Sequence, residues 1–323
     1  YHSSAPNHPC CRLKFIENVL MAKRRPFRRL RHDIAYAAAR MLAGSPHWMN
    51  RKPGLAIFAF IASCAGRLLS RENKIAVHNL AMIFGDEFST ARRQQLIHKM
   101  YRQLGKNVFD AFYLARRPLQ QFDCIVTHDS LDEVRAAYTE GRGAIVLTGH
   151  IGCFELILHF FAIHGFKSFA IGRRLFDSRI DRIFRDLRSG PNIAYIDRDE
   201  SPRVMLRLLR EGRMMGALID QDTKLEGVFA PFLGKPAHTP SGPVRMALRY
   251  NIPMFVVTTA RMPDNTHHVY ISSRLKPAST GSDEMDVAKT IEAANAVLSD
   301  AIRRNPDQWV WMHTRWRKKP EYI

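Results

Sequence analysis

The chain has 323 residues, 46% hydrophobic and 24% charged, enough to bury one large core and unlike a disordered or fibrous sequence. Its formal charge of +19 favours polyanionic partners: nucleic acid, an anionic membrane surface, phosphorylated substrates or an acidic protein. Five cysteines (Cys10, Cys11, Cys64, Cys124 and Cys153) are odd in number and scattered, which argues against a disulfide framework or zinc site and fits a reducing compartment.

In chain order, residues 1–21 read as a non-native or disordered extension, because "MAKRRPF" at Met21 resembles a true start. No secretory signal is visible: "MAKRRPFRRLRHDIAYAAAR" lacks a clean apolar core and a small-residue cleavage site. Residues 22–120 read as a helical, membrane-associating region. Its longest apolar run, "GLAIFAFIASCAG" (54–66), is shorter than the roughly 20 residues a spanning helix needs, so it is expected to lie on a membrane or in the core. Further on, Leu96, Met100, Leu104, Val108 and Phe112 are spaced for one face of a helix behind a Ser/Thr cap.

Residues 121–323 change character. Short apolar runs (FDCIV, AIVLT, SFAIG, IAYI, MMGALI, MFVVTT, HVYISS) alternate with helical stretches at 130–140, 153–164, 177–189, 201–211, 241–250 and 285–304. That alternation predicts an α/β fold with a mostly parallel sheet flanked by helices. The stretch 220–240 reads as a long functional loop. Ligands of such sheets bind beyond the carboxyl ends of strands, where this pattern puts His150, Arg173 and Asp220.

The quintet "TGHIG" is followed by Cys153, Phe154 and Glu155. On a continuous helix His150 and Glu155 would point about 140° apart, so they meet only if His150 lies in the turn before it. Glu155 would then accept a hydrogen bond from one imidazole nitrogen and leave the other as a base. The plainer account is a loop histidine and an acid favoured by a helix start. Among the arginines, Arg174, Arg179, Arg182 and Arg185 read as a solvated face paired with nearby acids. Arg173 at a strand end is a phosphate-binding candidate, and Arg188 is either a second one or a helix C-terminal partner. Asp220, Gln221 and Asp222 suit a polar substrate better than a metal, which lacks a third ligand nearby. The ending "QWVWMHTRWRKKPEYI" interleaves aromatics and cations, as single-strand nucleic-acid surfaces and membrane interfaces both do. No GxSxG, GxGxxG, P-loop or HExxH motif occurs, so a base at His150 would serve direct attack by a substrate hydroxyl.

These segments together resemble the bacterial lipid A late acyltransferases, within the lysophospholipid acyltransferase superfamily. "TGHIGCFE" resembles its H-x4-D/E motif, and "ENKIAVHNLAMIFGDEFSTARRQQL" its helical signature. "GRRLFD…DLRSG", "ALIDQD…GVFAPFLGKPAHTPSG" and "WVWMHTRW" follow in the family's order, so the likeness runs from about residue 70 to 318. It implies a glycerolipid-acyltransferase-like α/β catalytic domain at the cytoplasmic face of a bacterial inner membrane. His150 would be the general base, Glu155 its support, and Arg173 a phosphate ligand. Asp220, Gln221, Gly234 and Thr239 would shape the site. Backbone N–H groups near Gly152 are the oxyanion candidates. The implied donor is an acyl-carrier-protein or CoA thioester and the implied acceptor an anionic glycolipid, with no cofactor, metal or nucleic acid. A lysophospholipid or aminolipid acceptor, or an inactive membrane- or nucleic-acid-binding protein, are the alternatives. One departure stands out: Cys153 and Phe154 occupy positions where the family usually has Asn and Trp.

Overall fold

The computed structural model describes residues 32–115, 117–197, 200 and 202–320. The extension expected at 1–21 and the basic stretch 22–31 lie outside the described residues.

Residues 32–44 form α1, followed by α2 (Arg51–Leu68), α3 (Ser70–Phe84), α4 (Thr90–Leu114) and a short α5 (Leu119–Asp123). The Ser89 hydroxyl caps α4 by accepting from the Arg92 N–H at 3.2 Å. α2 packs along α4, where Phe58 meets Phe109 edge-on at 5.2 Å. The predicted stripe on α4 holds only at its start. Leu96 and Met100 are buried, but Val108 is 45% exposed, and the buried line continues through Tyr101, Gly105 and Phe109. The reason is geometric: each four-residue step overshoots a turn by about 40°, so five such positions drift off one face.

α2 contains the apolar run 54–66 and serves two environments. Leu55, Phe58 and Ala59 face inward, while Ile57, Phe60, Ile61 and Leu68 are exposed. Among the described residues no single helix is long and apolar enough to cross a membrane; α2 and the following segment pass that test only as a pair bent by 92°.

A seven-stranded sheet follows, in the order β1 (Val126–His128), β9 (His267–Ile271), β8 (Met254–Arg261), β2 (Ala144–Thr148), β5 (Met214–Leu218), β3 (Ser168–Gly172), β4 (Ile193–Asp197). β8, β2, β5, β3 and β4 are mutually parallel, and β1 and β9 run against them. Its helices are α6 (Asp132–Thr139), α7 (Leu156–Ile163), α8 (Ser178–Leu187), α9 (Pro202–Arg210), α10 (Gly242–Tyr250) and α11 (Asp283–Arg304). The strands are continuously apolar because both faces are covered. In β2, Ile145 and Leu147 enter the core beneath α3, α11 and the C-terminal tryptophans, while Ala144 and Val146 enter the core around α7. The run FDCIV begins in α5 with Phe122 and Asp123 and turns at Cys124 and Ile125, and its strand begins only at Val126.

The predicted loop 220–240 is largely a hairpin, β6 (Gly227–Phe232) and β7 (Lys235–Pro240). Its tip is the pair Leu233 (φ 52°) and Gly234 (φ 81°), both left-handed, as a two-residue hairpin turn requires. The C-terminal segment is tied to α3 by Asn79, a buried side chain that donates to the carbonyls of Trp311 (2.8 Å) and His313 (2.9 Å). Asn79→Ala leaves both carbonyls short of a donor and should cost about 2–3 kcal/mol, measured as a lowered denaturation midpoint. An unchanged midpoint would show that the segment is held without it.

Candidate active site

The register of β2 against β5 pairs Thr148 with Leu218, so the two chains leave the sheet edge side by side. Two residues beyond each lie His150 and Asp220, which the structure joins. Asp220 Oδ1 lies 2.8 Å from His150 Nδ1, and its Oδ2 accepts from the His150 backbone N–H at 2.7 Å. The Trp309 indole N–H also donates to Oδ2, at 2.8 Å. The Asp220 side chain has no solvent exposure, whereas His150 retains 24%. Burial pushes the Asp220 pKa up, but the electrostatic attraction of His150 and the three hydrogen bonds outweigh burial and hold it at about 2. An ionised acceptor on Nδ1 fixes the proton there and leaves the Nε2 lone pair free.

Glu155 does something other than the spacing suggested. It sits at the N-cap position of α7, and its carboxylate makes a two-pronged pair with Arg188, 2.9 Å from Oε2 to Nε and 2.5 Å from Oε1 to Nη2. The imidazole partner expected at Glu155 is Asp220 instead, because β5 lies directly beside β2 and delivers a carboxylate to Nδ1 before the helix begins. Arg188, at the end of α8, is therefore turned toward the site rather than left to its own helix. Between them Phe154 places its ring edge-on to His150, 4.8 Å between centroids, so this residue packs the imidazole. Cys153 is fully buried, with its thiol 3.4 Å from the Asn107 carbonyl and its pKa driven up by burial.

The turn carrying His150 is pinned from four elements. Gly152 has φ 57° and lies so close to β8 that a Cβ there would meet the Thr259 carbonyl at 2.0 Å. Its N–H donates to the Gln308 carbonyl at 2.9 Å, so Gly152 itself has no donor left for an oxyanion. Its carbonyl accepts from Asn107 of α4 at 2.8 Å, and the Ile151 carbonyl accepts from the Thr259 hydroxyl at 3.2 Å.

Behind Asn107 lies a second buried carboxylate. Asp110 accepts from Arg51 (2.8 and 2.9 Å) and Arg261 (2.6 Å) and lies 2.9 Å from His267 Nε2. Arg261 also donates to Asn107 at 2.8 Å, which links this cluster to the turn. Burial raises the Asp110 pKa, but His267 and the two guanidiniums outweigh it and hold the carboxyl well below the usual range. Burial drives His267 down to about 4 despite its bond to Asp110.

The other expected site residues fall in three places. Arg173 follows β3 at the same sheet edge, exposed, and has no side-chain partner among the described residues. Gln221 is half-buried beside Asp220. Thr239 is buried, and its hydroxyl accepts from Arg315 at 2.7 Å and Asn295 at 3.2 Å, so it braces the hairpin base from within. Gly234 lies at the hairpin tip, roughly 14 Å along the strand from Thr239, and makes the turn rather than lining the site. Asn107, Asp110, Arg261 and Trp309 were not singled out in the sequence. A lone acid in the apolar "NVFDAF" was the available signal.

The buried groups set the pH dependence of stability. Asp110 and Asp220 both titrate below their ordinary value of 3.8, so their contribution is fully present above that pH; that of Asp220 is lost as pH falls through about 2, and that of Asp110 at still lower pH. His267 is neutral in the fold but protonates near 6.5 once unfolded, so it removes stability as pH falls from about 6.5 to about 4. Denaturation profiles should therefore decline from about pH 6.5 downward, and Asp220→Asn should flatten the portion below about pH 4. A flat profile over this range would contradict the assignment of these charges.

Residues 26–318 match the family model described as bacterial lipid A biosynthesis acyltransferase. The chain is 25% identical over 267 residues to the lipid A biosynthesis palmitoleoyltransferase of Escherichia coli (strain K12), covering 80% of this chain and 83% of that protein. It has the same identity and coverage with the lipid A biosynthesis acyltransferase of Shigella flexneri. To the lipid A biosynthesis lauroyltransferase of E. coli K12 it is 24% identical over 269 residues, with 81% and 85% covered. A match across nearly the whole fold, with the motifs in order around one strand-edge site, makes this chain an acyltransferase belonging to the bacterial lipid A biosynthesis acyltransferase family.

Proposed function

We propose that the protein transfers a fatty acyl chain from a thioester to a hydroxyl of a lipid A precursor or a related anionic glycolipid. The observation that carries this reading is the His150–Asp220 pair, which leaves Nε2 of a partly exposed imidazole as a base at the sheet edge. Nε2 takes the proton of the acceptor hydroxyl as its oxygen attacks the thioester carbonyl carbon. The carbonyl electrons move onto oxygen, and the N–H groups of Cys153 and Phe154, in the turn just ahead of α7, suit that charge, since Gly152 is committed elsewhere. Collapse expels the thiolate, which recovers the proton from the imidazolium. No acyl-enzyme is required.

Glu155 acts here by holding Arg188 at the rim, and Arg173 adds a second guanidinium, so an anionic group of acceptor or donor has a place to bind. Acyl carrier protein is the preferred donor because its acidity complements a charge of +19, with acyl-CoA as the other candidate. The exposed apolar side chains of α2 support docking on the cytoplasmic face of the inner membrane, with the helix embedded rather than spanning.

The test is acyl transfer in membranes, with mass spectrometry of the lipid product. His150→Ala should lower kcat by about 10²–10⁴-fold. Asp220→Asn should also lower kcat, by about 10²-fold or more, because the wrong tautomer faces the acceptor. Glu155→Gln should act mainly on KM through Arg188. Near-normal transfer by His150→Ala would sink the mechanism, and no lipid gaining one acyl mass would sink the acceptor class.

A further inference from the structure

One face of α3 carries Lys74, Ile75, His78, Asn79 and Met82, and it does not close against the C-terminal segment. A cavity of about 360 Å³ opens between them. Its polar wall carries Lys74, His78 and Asn79 from the helix and Thr314, Arg317 and Lys319 from the chain end, and the charged groups Lys74, Arg317 and Lys319 are all cations. No carboxylate lines it. Among the described residues Lys74, His78 and Lys319 have no ion-pair partner, and Arg317 only shares Asp222, at 3.3 Å, with Lys318 and His238. The rest of the wall is apolar, from Ile75, Met82 and Trp316.

Two further observations bear on what fits. The Trp316 side chain is 93% buried by its 7% exposure, yet its indole N–H has no acceptor among the described residues. The cavity also lies about one helical turn beyond the bend between α2 and α3, where Leu68 is 84% and Leu69 39% exposed. Uncompensated cations over an apolar wall, next to exposed leucines, match a phosphate joined to the start of an acyl-glycerol backbone. The space holds one such headgroup and not a whole glycolipid.

We propose that this cavity binds the phosphomonoester headgroup of a membrane lipid, at a site separate from His150. Lys74, His78, Arg317 and Lys319 surround the phosphate oxygens, and Ile75, Met82 and the Trp316 ring meet the first carbons behind it. The wall is rigid because Asn79 holds the C-terminal segment in place.

The test uses the full chain and dihexanoyl phosphatidic acid below its micellar concentration, read by calorimetry. Binding should weaken by about tenfold or more in the Lys74→Ala/Lys319→Ala variant, whose altered side chains are both exposed and leave the core intact. Dihexanoyl phosphatidylcholine should bind far more weakly. His150→Ala should bind phosphatidic acid as the parent does, so this result and the acyl-transfer result fail independently. The proposal is overturned if phosphatidic acid does not bind or if the double variant binds it unchanged. It is equally overturned if inorganic phosphate binds as tightly, since the apolar wall would then contribute nothing.

Discussion

A carboxylate with no access to water must find its donors inside the protein, and Asp220 finds three. They come from two distant parts of the fold, His150 supplying two and Trp309 the third. One is the backbone of the turn after β2, one is the imidazole in that turn, and one is the indole of Trp309 at the far end of the chain. Satisfying Asp220 therefore requires β5 to lie beside β2 and the C-terminal segment to return beneath the sheet edge. The same bonds that make the buried charge tolerable set the tautomer of His150. Structure and chemistry here depend on one group.

A second buried carboxylate repeats the logic one layer behind. Asp110 gathers Arg51 from the start of α2, Arg261 from the end of β8 and His267 from β9. Through Arg261 and Asn107 the cluster reaches the Gly152 carbonyl, two residues from His150. The helix that presents apolar side chains outward is thus braced, at its first residue, against the framework that holds the turn carrying His150.

Much of this was legible in the residues. The alternation of apolar runs and helical stretches pointed to a parallel sheet, and the strand-end rule singled out His150, Asp220 and Arg173 together. What periodicity does not encode is strand order. β5 follows β3 and β4 in sequence but lies between β2 and β3, so the partner of His150 came from 70 residues away rather than five. The β6–β7 hairpin was hidden for a local reason: Pro231 interrupts its first strand, and its tip reads Leu-Gly rather than Asn-Gly. Cys153 and Phe154, which depart from the family pattern, have ordinary physical places. One is sealed in the core behind the turn, and the other packs edge-on against the His150 imidazole.

The central claim is that Asp220, and not Glu155, holds the imidazole of His150. It is tested most directly by ¹H–¹⁵N NMR of the histidine side chains, with His150 assigned by its loss in His150→Ala. The account predicts a hydrogen-bonded proton on Nδ1 of His150 that persists in Glu155→Gln and disappears or shifts strongly in Asp220→Asn. A signal that persists in Asp220→Asn and is lost in Glu155→Gln would contradict it.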